Sequence, residues 1–215
     1  MSYQYILFDL DGTLTDPKLG ITKSVANALA YFGIIVDDLD SLIKFIGPPL
    51  TVSFKEFYHF DNEMVKTAVQ KYREYFSVKG LYENAVYPGI KELLSELKQK
   101  GKVIVLATSK PTYFAEKILE YFELKQYFDF VAGSEMDLSR NSKEEVIQYA
   151  LEQTGITLKD NVIMVGDRKH DIIGAKAHNI ASVGVLYGYG DREEFQEVGP
   201  EYIVETIQEL RELLK

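Results

Sequence analysis

Cysteine is absent from this 215-residue chain, which excludes a disulfide framework and every thiolate metal site and leaves packing alone to hold the fold. A reducing, cytoplasmic setting fits that absence. Positive charge is also scarce: 24 Lys and Arg stand against 33 Asp and Glu, a formal net charge of −9. Attachment to a nucleic-acid backbone or to anionic lipid needs positive potential at the contact, so neither a nucleic-acid polymer nor a membrane is expected as a partner. A small phosphorylated metabolite remains compatible, because a bound divalent cation and one or two lysines reverse the sign locally. No apolar run approaches the roughly 20 residues of a membrane span. The start, Met-Ser-Tyr-Gln-Tyr, enters its first apolar run without a basic region, and no secretory signal is expected. Internal repeats and low-complexity segments are lacking as well.

What is present is 46% hydrophobic residues, enough for one good core or for a core carrying a smaller insertion. From Pro88 onward apolar runs alternate with helical periodicity. Helices are predicted over Ile90–Lys100, Thr112–Glu123, Lys143–Gln153, Asp171–His178 and Glu205–Leu214. Strands are predicted at Val103–Ala107, Phe130–Ala132, Asn161–Val165, Ala181–Leu186 and Tyr202–Val204. Strands separated by helices of this length imply βαβ units and a parallel sheet, an α/β fold. Between Pro17 and Asn84 the alternation stops and the pattern is helical: Ile21, Val25, Leu29 and Phe32 share one face, as do Val65, Ala68, Tyr72 and Phe76. The expected organisation is therefore an α/β core of residues 1–16 and 85–215, with residues 17–84 as a helical insertion on two nearby linkers that permit hinge motion. The aromatic stripe Tyr72, Tyr75 and Phe76 reads as bundle core rather than a ligand cage.

The segment Ile6-Leu7-Phe8-Asp9-Leu10-Asp11-Gly12-Thr13-Leu14 carries the most chemistry. Tyr5–Phe8 is a short apolar run of the kind buried on both faces of a parallel sheet. Asp9 and Asp11 then stand at its carboxyl end, where open α/β sheets bind ligands, and a spacing of two lets both face one crevice. Gly12 permits a sharp turn that brings backbone N–H groups near an anion. The competing reading is a surface turn in which the aspartates cap the next element.

Three more polar groups fall at the same sheet edge. Thr108-Ser109-Lys110-Pro111 follows one strand, Gly166-Asp167 with Asp171 follows another, and Lys143 lies beyond the loop Ser139-Arg140-Asn141-Ser142. Together they offer hydroxyl donors for phosphate oxygens, a cation against developing charge and hard oxygen ligands for magnesium. Taken singly, each has a plainer reading: Thr108, Ser109 and Asp167 as helix caps, Lys143 as an exposed lysine, Asp171 as a surface partner of Arg168 or Lys169. Gly184, Gly188 and Gly190 have the wrong spacing for a nucleotide loop, and no helix start is evident after the third; the segment reads as a flexible loop at the site's wall.

These motifs resemble the haloacid dehalogenase superfamily over the whole length, with Asp9-Leu10-Asp11-Gly12-Thr13, Thr108, Lys143 and Gly166-Asp167 to Asp171 matching its four motifs. Thr15-Asp16-Pro17, Phe45–Leu50 and Gly184–Gly190 are similar to the phosphoglycolate phosphatase branch, some of whose relatives are assigned as 5′-nucleotidases. The resemblance implies a Rossmann-like core with a small α-helical cap inserted after the first strand, and a Mg²⁺-dependent phosphatase of small phosphate monoesters. It implies Asp9 as the nucleophile forming an aspartyl-phosphate and Asp11 as the acid and base. It also implies Thr108, Ser109 and Lys143 as phosphoryl ligands, and Asp9, the Asp11 carbonyl and Asp167 as Mg²⁺ ligands, with Asp171 a ligand or beside one. Asp11 favours phosphatase over dehalogenase chemistry. Ser109 stands where relatives often have asparagine, and the Lys-Pro-x-Pro form before Lys143 is missing, which makes Lys110 its rival. Alternatives within the resemblance are a 5′-nucleotidase, a pyrophosphatase, a sugar-phosphate mutase and an inactive binding protein. Specificity is expected from Ile46, Gly47 and Pro48; the oligomeric state, monomer or homodimer, is left open.

Overall fold

The structure is a computed structural model that describes residues 3–215. In chain order its elements are β1 (Tyr5–Phe8), β2 (Thr15–Asp16), α1 (Lys18–Tyr31), α2 (Leu50–Tyr58), α3 (Asn62–Tyr75), β3 (Ala85–Val86), α4 (Ile90–Gln99) and β4 (Val103–Pro111). There follow α5 (Thr112–Tyr121), β5 (Phe130–Ser134), α6 (Lys143–Thr154), β6 (Val162–Gly166), α7 (Lys169–Ala177), β7 (Ala181–Val185), α8 (Arg192–Val198), β8 (Tyr202–Val204) and α9 (Ile207–Leu214). The chain divides into two compact units, Met1–Asp16 with Val86–Lys215, and Pro17–Ala85. Among the described residues no helix is long and apolar enough to cross a membrane.

The first unit is built on a six-stranded sheet in the order β5-β4-β1-β6-β7-β8, in which all neighbouring strands run parallel. β1 lies inside it because its residues satisfy both neighbours: Leu7 is in register with Val105 of β4 and with Met164 of β6. Ile6, Leu7 and Phe8 are wholly buried, which explains why the sequence shows a continuous apolar run rather than an alternation. One face packs Leu7, Val105, Ala107, Ala132 and Met164 against Val146, Ile147 and Ala150 of α6 and Ala175 of α7. Truncating a side chain such as Phe8 would cost about 3–5 kcal/mol.

The helical unit gathers α1, α2 and α3 with a 3-10 turn at Leu39–Phe45 and a π turn at Phe76–Gly80. Its core is aromatic: Phe45 meets Phe54 edge-on at 5.1 Å between ring centroids, and Phe54 stacks on Phe60 at 5.8 Å. Tyr72 and Phe76 are buried and stacked at 5.3 Å. Tyr75 departs from the expected stripe, turning its hydroxyl to Glu83 at 3.2 Å.

Two sequence expectations need correcting. β4 does not end at Ala107 but runs on to Pro111, past a break in its register with β5 between Ala107 and Pro111. The extension is held by Ser134, whose hydroxyl donates to the Ser109 carbonyl at 2.8 Å. A helix also follows Gly190: Asp191 caps α8, its carboxylate accepting from Glu194 N–H at 2.8 Å. The helix has only seven residues and a single fully buried side chain, Phe195, too little for periodicity to reveal.

Candidate active site

The strand geometry of β1 continues into the site, because Asp9 N–H donates to the Val165 carbonyl of β6 at 2.9 Å. Beyond it the chain folds back sharply: Gly12 N–H donates to Thr15 O at 2.7 Å, and Leu14 and Thr15 N–H both return to Leu10 O. Gly12 takes φ +81°, and a Cβ there would overlap the Asp167 carboxylate. The turn is therefore closed to other residues by conformation and by space.

α6 delivers Lys143. Ser142 accepts from Glu145 N–H at 3.2 Å while Glu145 accepts from Ser142 N–H at 3.0 Å, a reciprocal cap that fixes the helix start one residue before the lysine. Lys143 is buried; its ammonium lies 2.8 Å from Asp9 Oδ1 and 2.8 Å from Asp171 Oδ1, and donates to the Ala107 carbonyl at 2.9 Å. Burial alone would lower its pKa, but the carboxylates of Asp171 and Asp9 outweigh burial and raise it. It remains charged at neutral pH.

Asp11 is held separately. Its Oδ2 lies 2.7 Å from the Lys110 ammonium, and both side chains are buried. Burial pushes the Asp11 carboxyl upward, Lys110 pulls it back, and Asp9 adds to the rise. Asp167 is completely buried and accepts from Thr13 Oγ1 at 3.4 Å and Tyr189 N–H at 2.9 Å. Burial, then the like charges of Asp171 and Asp9, push its pKa well above the carboxylate range. Asp171, whose other oxygen accepts from Arg168 N–H at 3.1 Å, is pushed up to about 6, chiefly by burial.

Asp9, Asp167 and Asp171 each offer an oxygen within 4.8 Å of the others. Hard carboxylate donors of this kind suit Mg²⁺, Mn²⁺ or Ca²⁺. The residues fit a divalent cation on charge as well: four buried carboxylates, Asp9, Asp11, Asp167 and Asp171, face two buried ammonium groups, Lys110 and Lys143. With every group ionised, the surplus of negative charge matches such an ion.

The sequence model of haloacid dehalogenase-like hydrolases matches residues 6–185. The chain belongs to that family. Among curated relatives, a 5′-nucleotidase of Pseudomonas aeruginosa is 45% identical, covering 100% of this chain and 97% of its own. The tyrosine-protein kinase PtkA of Mycobacterium tuberculosis is 38% identical over 99% of this chain and 73% of its own. A phosphoglycolate phosphatase of Colwellia psychrerythraea is 28% identical over 99% of this chain and 97% of its own. The crystal structure of a predicted phosphatase from Clostridium acetobutylicum superposes with a TM-score of 0.97 at 51% identity, covering 100% of this chain and 99% of that one.

Within this haloacid dehalogenase-like site the structure brings together Asp9, Asp11, Lys143, Asp167 and Asp171. Lys143 is no surface lysine, and Asp171 pairs with it rather than with a surface cation. Thr108 does not cap α5, which starts after Pro111 without a side-chain cap; its hydroxyl accepts from Lys110 N–H at 3.3 Å. The Ser109 hydroxyl is buried with no hydrogen-bond partner. Ile46, Gly47 and Pro48 belong to the helical unit, between the 3-10 turn and α2, with Gly47 at φ +102°. Two contributors escaped the sequence reading. Lys110 was legible only as a rival to Lys143, although its spacing of two from Thr108 on an extended strand was a usable signal. Glu194, on the helix the sequence hid, accepts from Arg168 Nε at 3.0 Å and Lys169 N–H at 2.6 Å and so grips the start of α7.

Proposed function

We propose that the chain is a Mg²⁺-dependent phosphatase of small phosphate monoesters that works through an aspartyl-phosphate on Asp9. The observation that carries this reading is the separate pairing of the two aspartates that follow β1, Asp9 with Lys143 and Asp11 with Lys110. Identical side chains two residues apart thereby acquire different surroundings, which is what a division between nucleophile and acid requires. In this reading Asp9 attacks phosphorus, and Asp11 protonates the departing ester oxygen and then takes a proton from the water that hydrolyses the intermediate. Thr108, Ser109 and Lys143 hold the phosphoryl oxygens, the unpartnered Ser109 hydroxyl being ready to donate. Asp9, the Asp11 carbonyl and Asp167 would hold Mg²⁺, with Asp171 beside them. When bound, the metal offsets the repulsion between anionic nucleophile and dianionic phosphate.

Residues 17–84 would act as the substrate-selecting cap domain, with Ile46, Gly47 and Pro48 setting preference. A relative named phosphoglycolate phosphatase at 28% identity supports phosphoglycolate as a substrate, and one named 5′-nucleotidase at 45% identity favours nucleoside 5′-monophosphates as the alternative. The cysteine-free sequence supports a cytoplasmic setting.

The test is phosphate release from nucleoside monophosphates, phosphoglycolate, sugar phosphates and pyrophosphate, with and without Mg²⁺. At least one monoester should turn over, and Asp9→Asn or a chelator should abolish turnover. Release that survives Asp9→Asn overturns the covalent mechanism. The kinase-named relative at 38% identity favours one second reading, transfer of the phosphoryl group to a tyrosine hydroxyl. Incubation with ATP and a tyrosine peptide tests it, and Asp9-dependent phosphotyrosine would move the chain to that activity.

A further inference from the structure

We propose that Lys110 is a positioning residue that orients Asp11, holding Oδ2 so that Oδ1 is the oxygen that exchanges the proton with substrate. This rests on the reading of Asp11 as acid and base. The Lys110 ammonium is 2.7 Å from Asp11 Oδ2, with side-chain exposures of 6% and 11%. Asp11 Oδ1 is also buried, yet has no hydrogen-bond partner. A buried polar atom without a partner costs about 1–3 kcal/mol, a cost that persists in active sites where a ligand completes the set. The two oxygens are thus unlike each other before any substrate arrives.

The backbone that carries Lys110 is tied down on several sides. Its N–H donates to Thr108 Oγ1 at 3.3 Å, and the Ser109 carbonyl beside it accepts from Ser134 Oγ at 2.8 Å. The register break between Ala107 and Pro111 falls on this stretch, and such irregularities re-aim side chains beside active sites. β5 passes so close that a Cβ on Gly133 would stand 2.5 Å from Lys110 O and 2.6 Å from Thr112 N. The absence of a side chain at 133 is what lets Lys110 occupy its place.

The two lysines therefore divide the work. Lys143 serves Asp9 and Asp171, and Lys110 serves Asp11. In the first half-reaction a bond forms between an Asp9 oxygen and phosphorus. The bond from phosphorus to the ester oxygen breaks, its electron pair stays on that oxygen, and the proton on Asp11 Oδ1 moves to it. Asp11 is left as a carboxylate facing the Lys110 ammonium. In the second half-reaction water attacks phosphorus, the Asp9–phosphorus bond breaks, and Asp11 regains its proton from the water.

The experiment compares kcat/KM, which reports steps only through departure of the alcohol, for two substrates of different leaving-group need. One is an alkyl phosphate that the wild type hydrolyses, whose alkoxide cannot leave unprotonated. The other is p-nitrophenyl phosphate, whose phenolate leaves without help. Asp11→Asn should lower the alkyl value by about 100-fold or more and barely change the aryl value. Lys110→Met should show the same selectivity at about 10- to 100-fold, the scale of a small misplacement, and Lys110→Arg should restore part of it. Gly133→Ala, which displaces the Lys110 backbone without touching its ammonium, should lose the alkyl substrate selectively as well. An equal loss on both substrates in Lys110→Met and Lys110→Gln, or no loss in either, overturns the proposal. Absence of selectivity in Asp11→Asn itself instead refutes the acid reading on which the proposal stands.

Discussion

The backbone N–H of Tyr189 donates to Oδ2 of Asp167 at 2.9 Å. The loop after β7 is thus a holder of the candidate metal ligand, and Tyr189 is itself anchored, its hydroxyl donating to Asp16. Tyr187 adds a second anchor, donating to the Thr13 carbonyl at 3.0 Å. A Cβ on Gly188 would overlap both the Gly12 carbonyl and Asp167. Gly188→Ala should therefore displace the carboxylate and weaken Mg²⁺ binding by about 10- to 100-fold, the usual effect of disturbing the partners of metal ligands. The rise of melting temperature during a Mg²⁺ titration measures this without reference to turnover.

Lys143 sits between two buried carboxylates, so its removal should be felt as stability before it is felt as chemistry. Lys143→Met leaves Asp9 and Asp171 uncompensated and should cost about 3–5 kcal/mol in metal-free protein. Urea unfolding in the presence of chelator gives the value. Lys143→Arg should recover stability in part but not turnover, because a planar guanidinium cannot occupy the point between the two aspartates and the Ala107 carbonyl.

Metal-free stability should depend on pH through Asp171. Its carboxyl, pushed up to about 6 in the folded chain, keeps a proton that the unfolded chain has already released. Between the unfolded and folded values the native state binds more protons, so stability falls as pH rises through that window. In chelator, wild type should therefore lose melting temperature relative to Asp171→Asn between about pH 4 and about pH 6. Added Mg²⁺ should reverse the trend for wild type alone. A difference that does not change with pH would refute the assignment.

Substrate ranking should follow the helical unit. Gly47 holds φ +102°, so Gly47→Ala is strained by about 1–3 kcal/mol locally and should reorder kcat/KM across a phosphate-ester panel more than it lowers the sum. Pro48→Ala should do so more weakly. An unchanged order in both variants removes these residues from specificity.

The parts of the fold legible in the sequence are those whose burial is continuous. Tyr5–Phe8 and Val162–Val165 are apolar throughout because both faces of their strands are covered, and Asp9 and Asp167 stand out as the first charges after them. The parts that were not legible owe their positions to contacts distant in sequence. Nothing local tells that Lys143 is buried, since its neighbours are polar and its partners come from β1, β4 and α7. The extension of β4 through Thr108, Ser109 and Lys110 escapes an apolar pattern because its side chains are polar, Lys110 being there to pair with Asp11. Glu194 escapes because α8 is short and acidic, although Asp191 three residues earlier carried the cap signal.

β1 is flanked in register by residues from far along the chain: Tyr5 stands beside Val103 on one side and Val162 on the other. The ion pairs of the site, Lys143 with Asp9 and Asp171 and Lys110 with Asp11, join segments that meet only when this sheet closes. Such long-range pairing forms slowly compared with helices. A chain emerging from the ribosome would accordingly be inert until β6 and α7 had been synthesised and docked, and refolding protein should regain helical circular dichroism before it regains turnover.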